Sequence, residues 1–392
     1  MKQKMQILEG SNAISEVIKN IGVDVVSAYP ITPQTHIVED LAKAKADGAA
    51  NFAYLKAESE FAAASIVLGA AATGARTYSA TSSQGLLLMT EVLFNAAGMR
   101  LPLVITCANR AISAPINIWN DQQDVMTIRD SGWILLFAEN HQEAVDQHIM
   151  AYRLAEKLNI PVMVNVDGFI ITHSYEPVHI PESKLIKKYL PAYKPADGTY
   201  LDPNNPVSLG AFATPNDYLE IREELHDDLN AATKNINEEF KLYNKIINGT
   251  EINSTLNNGL FEYSGPKNPK IILMAMGSVV GTIKEAISNF KDGKNVGILK
   301  LKTYRPFPDT EIIELLKKLN VKKIAVLEKA ISLGAHGPLA TDLKSAVFGK
   351  FNGVIKNYII GLGGRDVSQK MVKEIIKDLQ ISKNKKDIKF IN

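Results

Sequence analysis

Two acids, Glu58 and Glu60, head the stretch YLKAESEFAAASIVLGAAATGA, otherwise a run of small apolar residues fit for burial. An ionised carboxylate buried without a partner is costly, so such a group reaches water, pairs, or takes up a proton. One reading makes Ser59 a helix cap with both acids in the first turn, where the positive end of the macrodipole favours them. The other aims a carboxylate from a close-packed, Ala-rich helix at a ring nitrogen of a ligand in a dry site. Residue types alone leave both open.

Three further groups have matching chemistry. In AYPITPQT, two prolines fix the backbone around Thr32 and extend the residue before each, so its hydroxyl either meets a small substrate or caps the next helix. In SATSSQGLLLM, Thr81, Ser82, Ser83 and Gly85 mark a strand-to-helix junction. Amides there receive an anion or a polar ligand edge, and the serines otherwise serve as caps. Arg110, in ITCANRAISAPINIWNDQQD, stands just past a strand, where a guanidinium grips a carboxylate bidentately or is a plain surface charge. Asn117, Trp119, Asn120 and Asp121 follow in a polar-aromatic loop that suits the wall of the same cleft or a packed surface loop.

The elements that must carry these groups alternate in type. Helical periods precede β-rich runs in ISEVIKNIG then VDVVSAYP, EFAAASIVLGAAATG then RTYSAT, GLLLMTEVLFNAAGM then LPLVITCA, and EAVDQHIMAYRLAEKLN then PVMVNVDG. Such alternation predicts an α/β fold with a mainly parallel sheet covered on both faces, and a ligand at the carboxyl ends of its strands. Residues 1–180 form this first domain. Residues 181–268 read as an excursion rich in Pro, Asn and Asp, then an exposed helix and a linker. A second α/β unit, residues 269–392, begins at KIILMAMGS. Its loops LEKAISLGAHGPLA and GLGGRDVS match no phosphate-binding glycine pattern in its proper setting, and Gly361, Gly363 and Gly364 read as turn glycines.

Composition narrows the classes. With 392 residues and 46% hydrophobic content the chain builds large cores, and Lys+Arg 44 against Asp+Glu 42 leaves a net charge of +2 without a basic stripe for nucleic acid. No apolar run approaches the roughly 18 residues of a membrane span, and no signal-peptide core opens the chain, so the expected place is the cytoplasm. Cys107 is the single cysteine, which excludes an intrachain disulfide and a cysteine-ligated cluster built by this chain alone. The seven histidines show no metal-ligand spacing, so no dedicated metal site is expected. The glycosylation patterns at Asn248 and Asn253 read as chance, and the basic tail SKNKKDIK as a solvated end. No GxSxG elbow or kinase set is present.

Taken in order, YPITPQT, ESEFAAAS, TSSQGLLLM, NRAISAPINIWNDQQD and GLGGRDVS resemble the alpha subunit of the 2-oxoacid:ferredoxin oxidoreductases, most like the pyruvate type, along nearly the whole chain. The resemblance implies a pyrimidine-binding thiamine diphosphate domain followed by a transketolase C-terminal-like domain. It makes Glu60 the catalytic glutamate that hydrogen-bonds N1′ of the aminopyrimidine and thereby activates thiazolium C2; Glu58 does not align with that position. Thr32 and Arg110 fall at substrate-binding positions, and Ser82, Ser83 and Pro30 join Glu60 as cofactor-binding residues. The resemblance also implies coenzyme A as acyl acceptor. Diphosphate, Mg2+ and one [4Fe-4S] cluster would lie on a beta subunit, beside a gamma subunit and a ferredoxin-like delta subunit, with ferredoxin or flavodoxin taking the electrons. One residue departs from the pattern: Phe61 stands where a smaller or polar residue is expected.

Other readings compete. A branched-chain 2-oxoacid enzyme is the nearest; a 2-oxoglutarate enzyme would want a further cation in these loops. A non-catalytic assembly subunit is disfavoured by the joint presence of Glu60, Thr32 and Arg110. A free-standing Rossmann oxidoreductase lacks its dinucleotide fingerprint.

Overall fold

The computed structural model describes residues 5–252, 254–381 and 388–392. The pattern at Asn253 and residues 382–387 of the basic tail lie outside them.

The alternation seen in the sequence becomes crossover units. The first half runs β1 (Gln6–Glu9), α1 (Gly10–Ile21), β2 (Val25–Ala28), α2 (Thr35–Ala46), β3 (Ala53–Lys56), α3 (Glu60–Ala72) and β4 (Thr77–Thr81). It continues through α4 (Ser83–Gly98), β5 (Val104–Asn109), α5 (Gln123–Thr127), β6 (Ile134–Phe137), α6 (His141–Leu158) and β7 (Val162–Asp167). Strands β4, β5, β6 and β7 are buried at every residue, as parallel strands between two helical layers must be. β6, β7, β5, β4, β2 and β3 lie side by side in that order, all parallel. Their carboxyl ends therefore share one edge. β8 (Tyr175–Val178) turns back to pair antiparallel with β1, placing Glu9 opposite Tyr175.

After α7 (Ser183–Tyr189), the expected exposed helix is α8 (Tyr218–Tyr243), and it is exposed along one face only. Leu225, Ala232, Ile236 and Tyr243 recur at helical spacing and are buried, while Glu239 beneath them accepts from Arg153 Nε at 2.9 Å, Lys157 Nζ at 3.0 Å and Tyr189 Oη at 3.1 Å. Polar residues between these positions hid the stripe in the sequence. The stretch expected to be a linker also contains a strand, β9 (Phe261–Ser264).

The second unit follows as β10 (Ile271–Ala275), α9 (Val279–Ser288), β11 (Val296–Leu301), β12 (Thr303–Arg305), α10 (Asp309–Leu319) and β13 (Lys323–Glu328). It ends with α11 (Pro338–Ala346), β14 (Val354–Ile359), α12 (Gln369–Ile381) and β15 (Ile388–Phe390). Its sheet has the order β15-β14-β13-β10-β11-β9, with β9 alone antiparallel among the described strands. The run NVGILKLKTY splits at Lys302: β11 stays in this sheet and β12 adds antiparallel to β6 of the other. The two sheets are thus stitched by main chain. Beside the stitch, buried Lys300 meets Glu139, Glu143 and Glu262 within 2.9 Å. Among the described residues, no helix is long and apolar enough to cross a membrane.

Candidate active site

Glu60 is the first residue of α3, which follows edge strand β3. Ser59 caps the helix, its Oγ accepting from Ala62 N at 3.1 Å. The capping reading of the sequence therefore holds for Ser59 and Glu60 but not for Glu58, which precedes the cap and lies outside the first turn. Glu58 is exposed, whereas Glu60 is 8% exposed. No hydrogen bond or ion pair reaches the Glu60 carboxylate from the described residues. Its place is made by Gly85 on α4: a Cβ there would lie 2.5 Å from Thr81 Oγ1, 2.7 Å from Glu60 Cγ and 2.8 Å from Glu60 Oε1. Small Ala63, Ala64, Ala71 and Ala72 bury the rest of α3.

Across Gly85 from this carboxylate is a hydroxyl with nothing to bond, that of Thr81, and the next residue in the chain carries another. Thr81 Oγ1 and Ser82 Oγ are buried without partners, and although Ser82 is the N-cap residue of α4 its side chain does not cap it. Ser83 differs. Its Oγ reaches Ala111 O and Gln84 Oε1, both at 2.5 Å, and its amide donates to Asp124 Oδ2 at 3.0 Å. Buried polar groups are nearly always satisfied, so two orphan hydroxyls beside an unpaired carboxylate mark a place for a polar ligand edge.

Arg110, at the end of β5, is 7% exposed. Its Nη1 donates to Thr32 O at 2.8 Å and its Nε to Asn117 O at 3.0 Å. The structure thereby brings Arg110 and Thr32 together, with Thr32 and Pro30 exposed at the rim. Gln34 fixes the Thr32 loop on β4 by donating to Ala80 O at 2.6 Å. Of five guanidinium N–H groups two are spent, leaving three for a ligand. Burial pulls the Arg110 pKa below its ordinary value and Asp124 opposes this, but among the described residues no carboxylate pairs with the guanidinium itself. A desolvated, unneutralised cation at a strand edge suits an anion.

Asp124 carried no signal in the sequence beyond its place in a polar loop. It is fully buried and accepts from Ser83 N, Arg110 N at 2.9 Å, Asn109 Nδ2 at 3.0 Å and Val125 N at 2.8 Å, so one carboxylate sets both the β4 and β5 ends. Burial raises its pKa and these donors hold it down.

The loop of Asn117 to Asp121 is clamped by the second unit. Asn117 Nδ2 donates to Gly363 O at 3.0 Å, Gly364 N to Asn120 O at 2.6 Å, and Gly363 N to Asp121 Oδ2 at 3.2 Å. Gly361, Gly363 and Gly364 all have positive φ, and a Cβ on Gly364 would fall 2.3 Å from Trp119 Cβ, which accounts for them as turn and contact glycines. Below, Lys329 Nζ reaches Asn120 Oδ1 at 2.7 Å and Asp167 Oδ2 at 3.2 Å, and Ser278 N and Gln122 Nε2 also donate to Asp167. Burial works against the Asp167 charge, but Lys329 and these donors outweigh it and its pKa falls. Phe61, the departure noted in the sequence, is 41% exposed.

Residues 16–241 match the family described as pyruvate flavodoxin/ferredoxin oxidoreductase, thiamine diP-bdg, and residues 269–372 match pyruvate:ferredoxin oxidoreductase core domain II. The chain is 46% identical over 384 residues to pyruvate synthase subunit PorA of Methanocaldococcus jannaschii, covering 96% of this chain and 95% of that one. It is 40% identical over 380 residues to ketoisovalerate oxidoreductase subunit VorA of Pyrococcus horikoshii, covering 96% and 93%. A solved 2-oxoglutarate:ferredoxin oxidoreductase from Magnetococcus marinus, with 2-oxoglutarate, coenzyme A and succinyl-CoA bound, shares the fold. The TM-score is 0.69 at 21% identity, over 96% of this chain and 65% of that chain.

Proposed function

The chain belongs to the pyruvate flavodoxin/ferredoxin oxidoreductase family, as a subunit of a multi-subunit enzyme, and from that premise we propose that it is the alpha subunit of a pyruvate:ferredoxin oxidoreductase. The reaction is the coenzyme A-dependent oxidative decarboxylation of pyruvate to acetyl-CoA and CO2, reversible, with ferredoxin or flavodoxin taking the electrons. The observation that carries this reading is the buried, unpaired Glu60 carboxylate, cradled by Gly85 beside the orphan hydroxyls of Thr81 and Ser82.

Those residues fit the aminopyrimidine half of thiamine diphosphate, a planar ring with polar edges. When bound, the cofactor supplies the carbon nucleophile and the electron sink for decarboxylation. Glu60 holds a proton at its carboxyl oxygen and shares it with a ring nitrogen, in a setting where exclusion of water strengthens the bond. Ser82 offers its free hydroxyl and Pro30 shapes the rim; Ser83 acts by keeping the α4 terminus and Ala111 in place. Arg110 binds the substrate carboxylate through its three spare N–H groups, and Thr32 orients both Arg110, through its carbonyl, and substrate, through its hydroxyl.

This chain has one cysteine and no GDG element, so the complementary half of the site belongs to partners: a beta subunit holding diphosphate, Mg2+ and a [4Fe-4S] cluster, a gamma subunit and a ferredoxin-like delta subunit. The division into residues 1–180, 181–268 and 269–392 and a cytoplasmic location go with this reading. A branched-chain 2-oxoacid substrate is the second reading, favoured by the VorA relatives. Anaerobic isolation of the chain with its copurifying subunits, followed by coenzyme A-dependent viologen reduction with pyruvate, 2-oxoisovalerate and 2-oxoglutarate, decides. Pyruvate in the lead supports the proposal, 2-oxoisovalerate in the lead replaces it with the second reading, and no reduction by an intact complex refutes both.

A further inference from the structure

Outside this site, three side chains distant in sequence meet at the surface. Glu9 ends β1, His36 is the second residue of α2, and His173 lies in the loop between β7 and β8. One ligand atom from each falls within 4.8 Å of the others. His36 Nδ1 is 2.6 Å from Glu9 Oε1, and the His36 and His173 rings lie tilted against each other with centroids 4.6 Å apart.

The backbone beneath is firmly held. Ser11 donates to Thr172 O through both its amide, at 3.0 Å, and its hydroxyl, at 2.8 Å, while Gly10 N reaches Ser174 O at 3.2 Å. His173 Nδ1 is 2.7 Å from Thr172 Oγ1, which also accepts from Phe169 N at 2.8 Å. A His173 that donates from Nδ1 to this hydroxyl presents Nε2 as a free lone pair, the arrangement by which outer hydrogen bonds orient metal-binding imidazoles. Glu9 keeps its second oxygen toward Tyr175 Oη at 3.4 Å.

We propose that Glu9, His36 and His173 form a binding site for a divalent transition metal of the zinc class. Two imidazoles and one carboxylate are the donor set such borderline ions take, with a further position left for water or a partner's donor. The ion takes the place of the His36–Glu9 hydrogen bond. It ties β1, α2 and the β7–β8 loop together, and through the tilted ring contacts of His173, Phe169 and Trp119 it reaches the loop that holds Arg110. Phe169 supports this with a φ of +60°, a backbone state that a bulky residue adopts only where its surroundings impose it. The proposal is independent of the substrate assigned above.

The test is equilibrium dialysis of the full chain, with its copurifying subunits and without a polyhistidine tag, against micromolar Zn2+, alongside the His36→Ala/His173→Ala double variant. The wild type takes up one more zinc per chain than the double variant, and Glu9→Gln weakens that uptake on the order of 10-fold. As a check that does not depend on variants folding, zinc protects His36 and His173 of the wild type from diethyl pyrocarbonate. Equal uptake by wild type and a folded double variant, or unprotected histidines at saturating zinc, overturns the proposal.

Discussion

At the scale of single residues, the site depends on groups whose isolation is their function. Glu60 has no partner among the described residues, so Glu60→Gln preserves size and leaves folding intact while removing the transferable proton. The expected result is a loss of turnover by about 100-fold or more in the viologen assay, with assembly and thermal midpoint unchanged. A drop confined to assembly instead would favour the non-catalytic reading. Arg110 is held at two of its five N–H groups. Arg110→Lys keeps the charge but loses the fork, so KM for the 2-oxoacid rises about 10- to 100-fold, the equivalent of a charge-assisted hydrogen bond of about 1.5–3 kcal/mol. An unchanged KM would remove Arg110 from the substrate contacts.

At the scale of elements, Gly85 is the informative position. In most helices Gly→Ala stabilises by about 0.5–1 kcal/mol. Here the added methyl meets Glu60 and Thr81 at under 3 Å, so Gly85→Ala moves the carboxylate. Activity falls about 100-fold, as for a 1 Å misplacement, and the usual gain in thermal midpoint is missing. A variant that is both more stable and fully active would show that the α3–α4 contact does not set the carboxylate. The same contact explains why the α3 stretch is so rich in alanine: small side chains let the helices close around an acid.

At the scale of the whole molecule, the two units are joined by polar groups buried between them. Lys329→Met leaves Asp167 buried with hydrogen bonds but no countercharge, a loss of about 3–5 kcal/mol read as a lower thermal midpoint, and Lys329→Met/Asp167→Asn recovers part of it. Asp121 adds a pH dependence. Burial raises its pKa from 3.8 to about 6, against the donors Gln123 and Gly363. The folded chain therefore binds more protons than the unfolded one between those values, so this group's contribution to stability declines as pH rises from about 4 to about 6 and is flat above. Subtracting the Asp121→Asn profile of thermal midpoint against pH from that of the wild type isolates this slope; identical profiles would mean that Asp121 does not titrate so.

Period and composition by themselves determined the α/β class, the crossover units and the strand ends at which Thr32, Ser82, Ser83 and Arg110 stand, because parallel strands buried on both faces need continuous apolar runs between amphipathic helices. They also offered the cap at Ser59 as one of two readings, and it is a local hydrogen bond. What they left open was every relation across the fold. Glu58 stands exposed before the Ser59 cap and Glu60 buried just after it, a difference set by where α3 packs. The role of Gly85 is to receive a residue 25 positions away on another helix, Asp124 joins two strand ends, and β12 leaves its own unit for a neighbouring sheet. Histidines that show no spacing along the chain meet where α2 packs beside the β1–β8 pair, since proximity between separate elements is decided by packing and not by sequence distance.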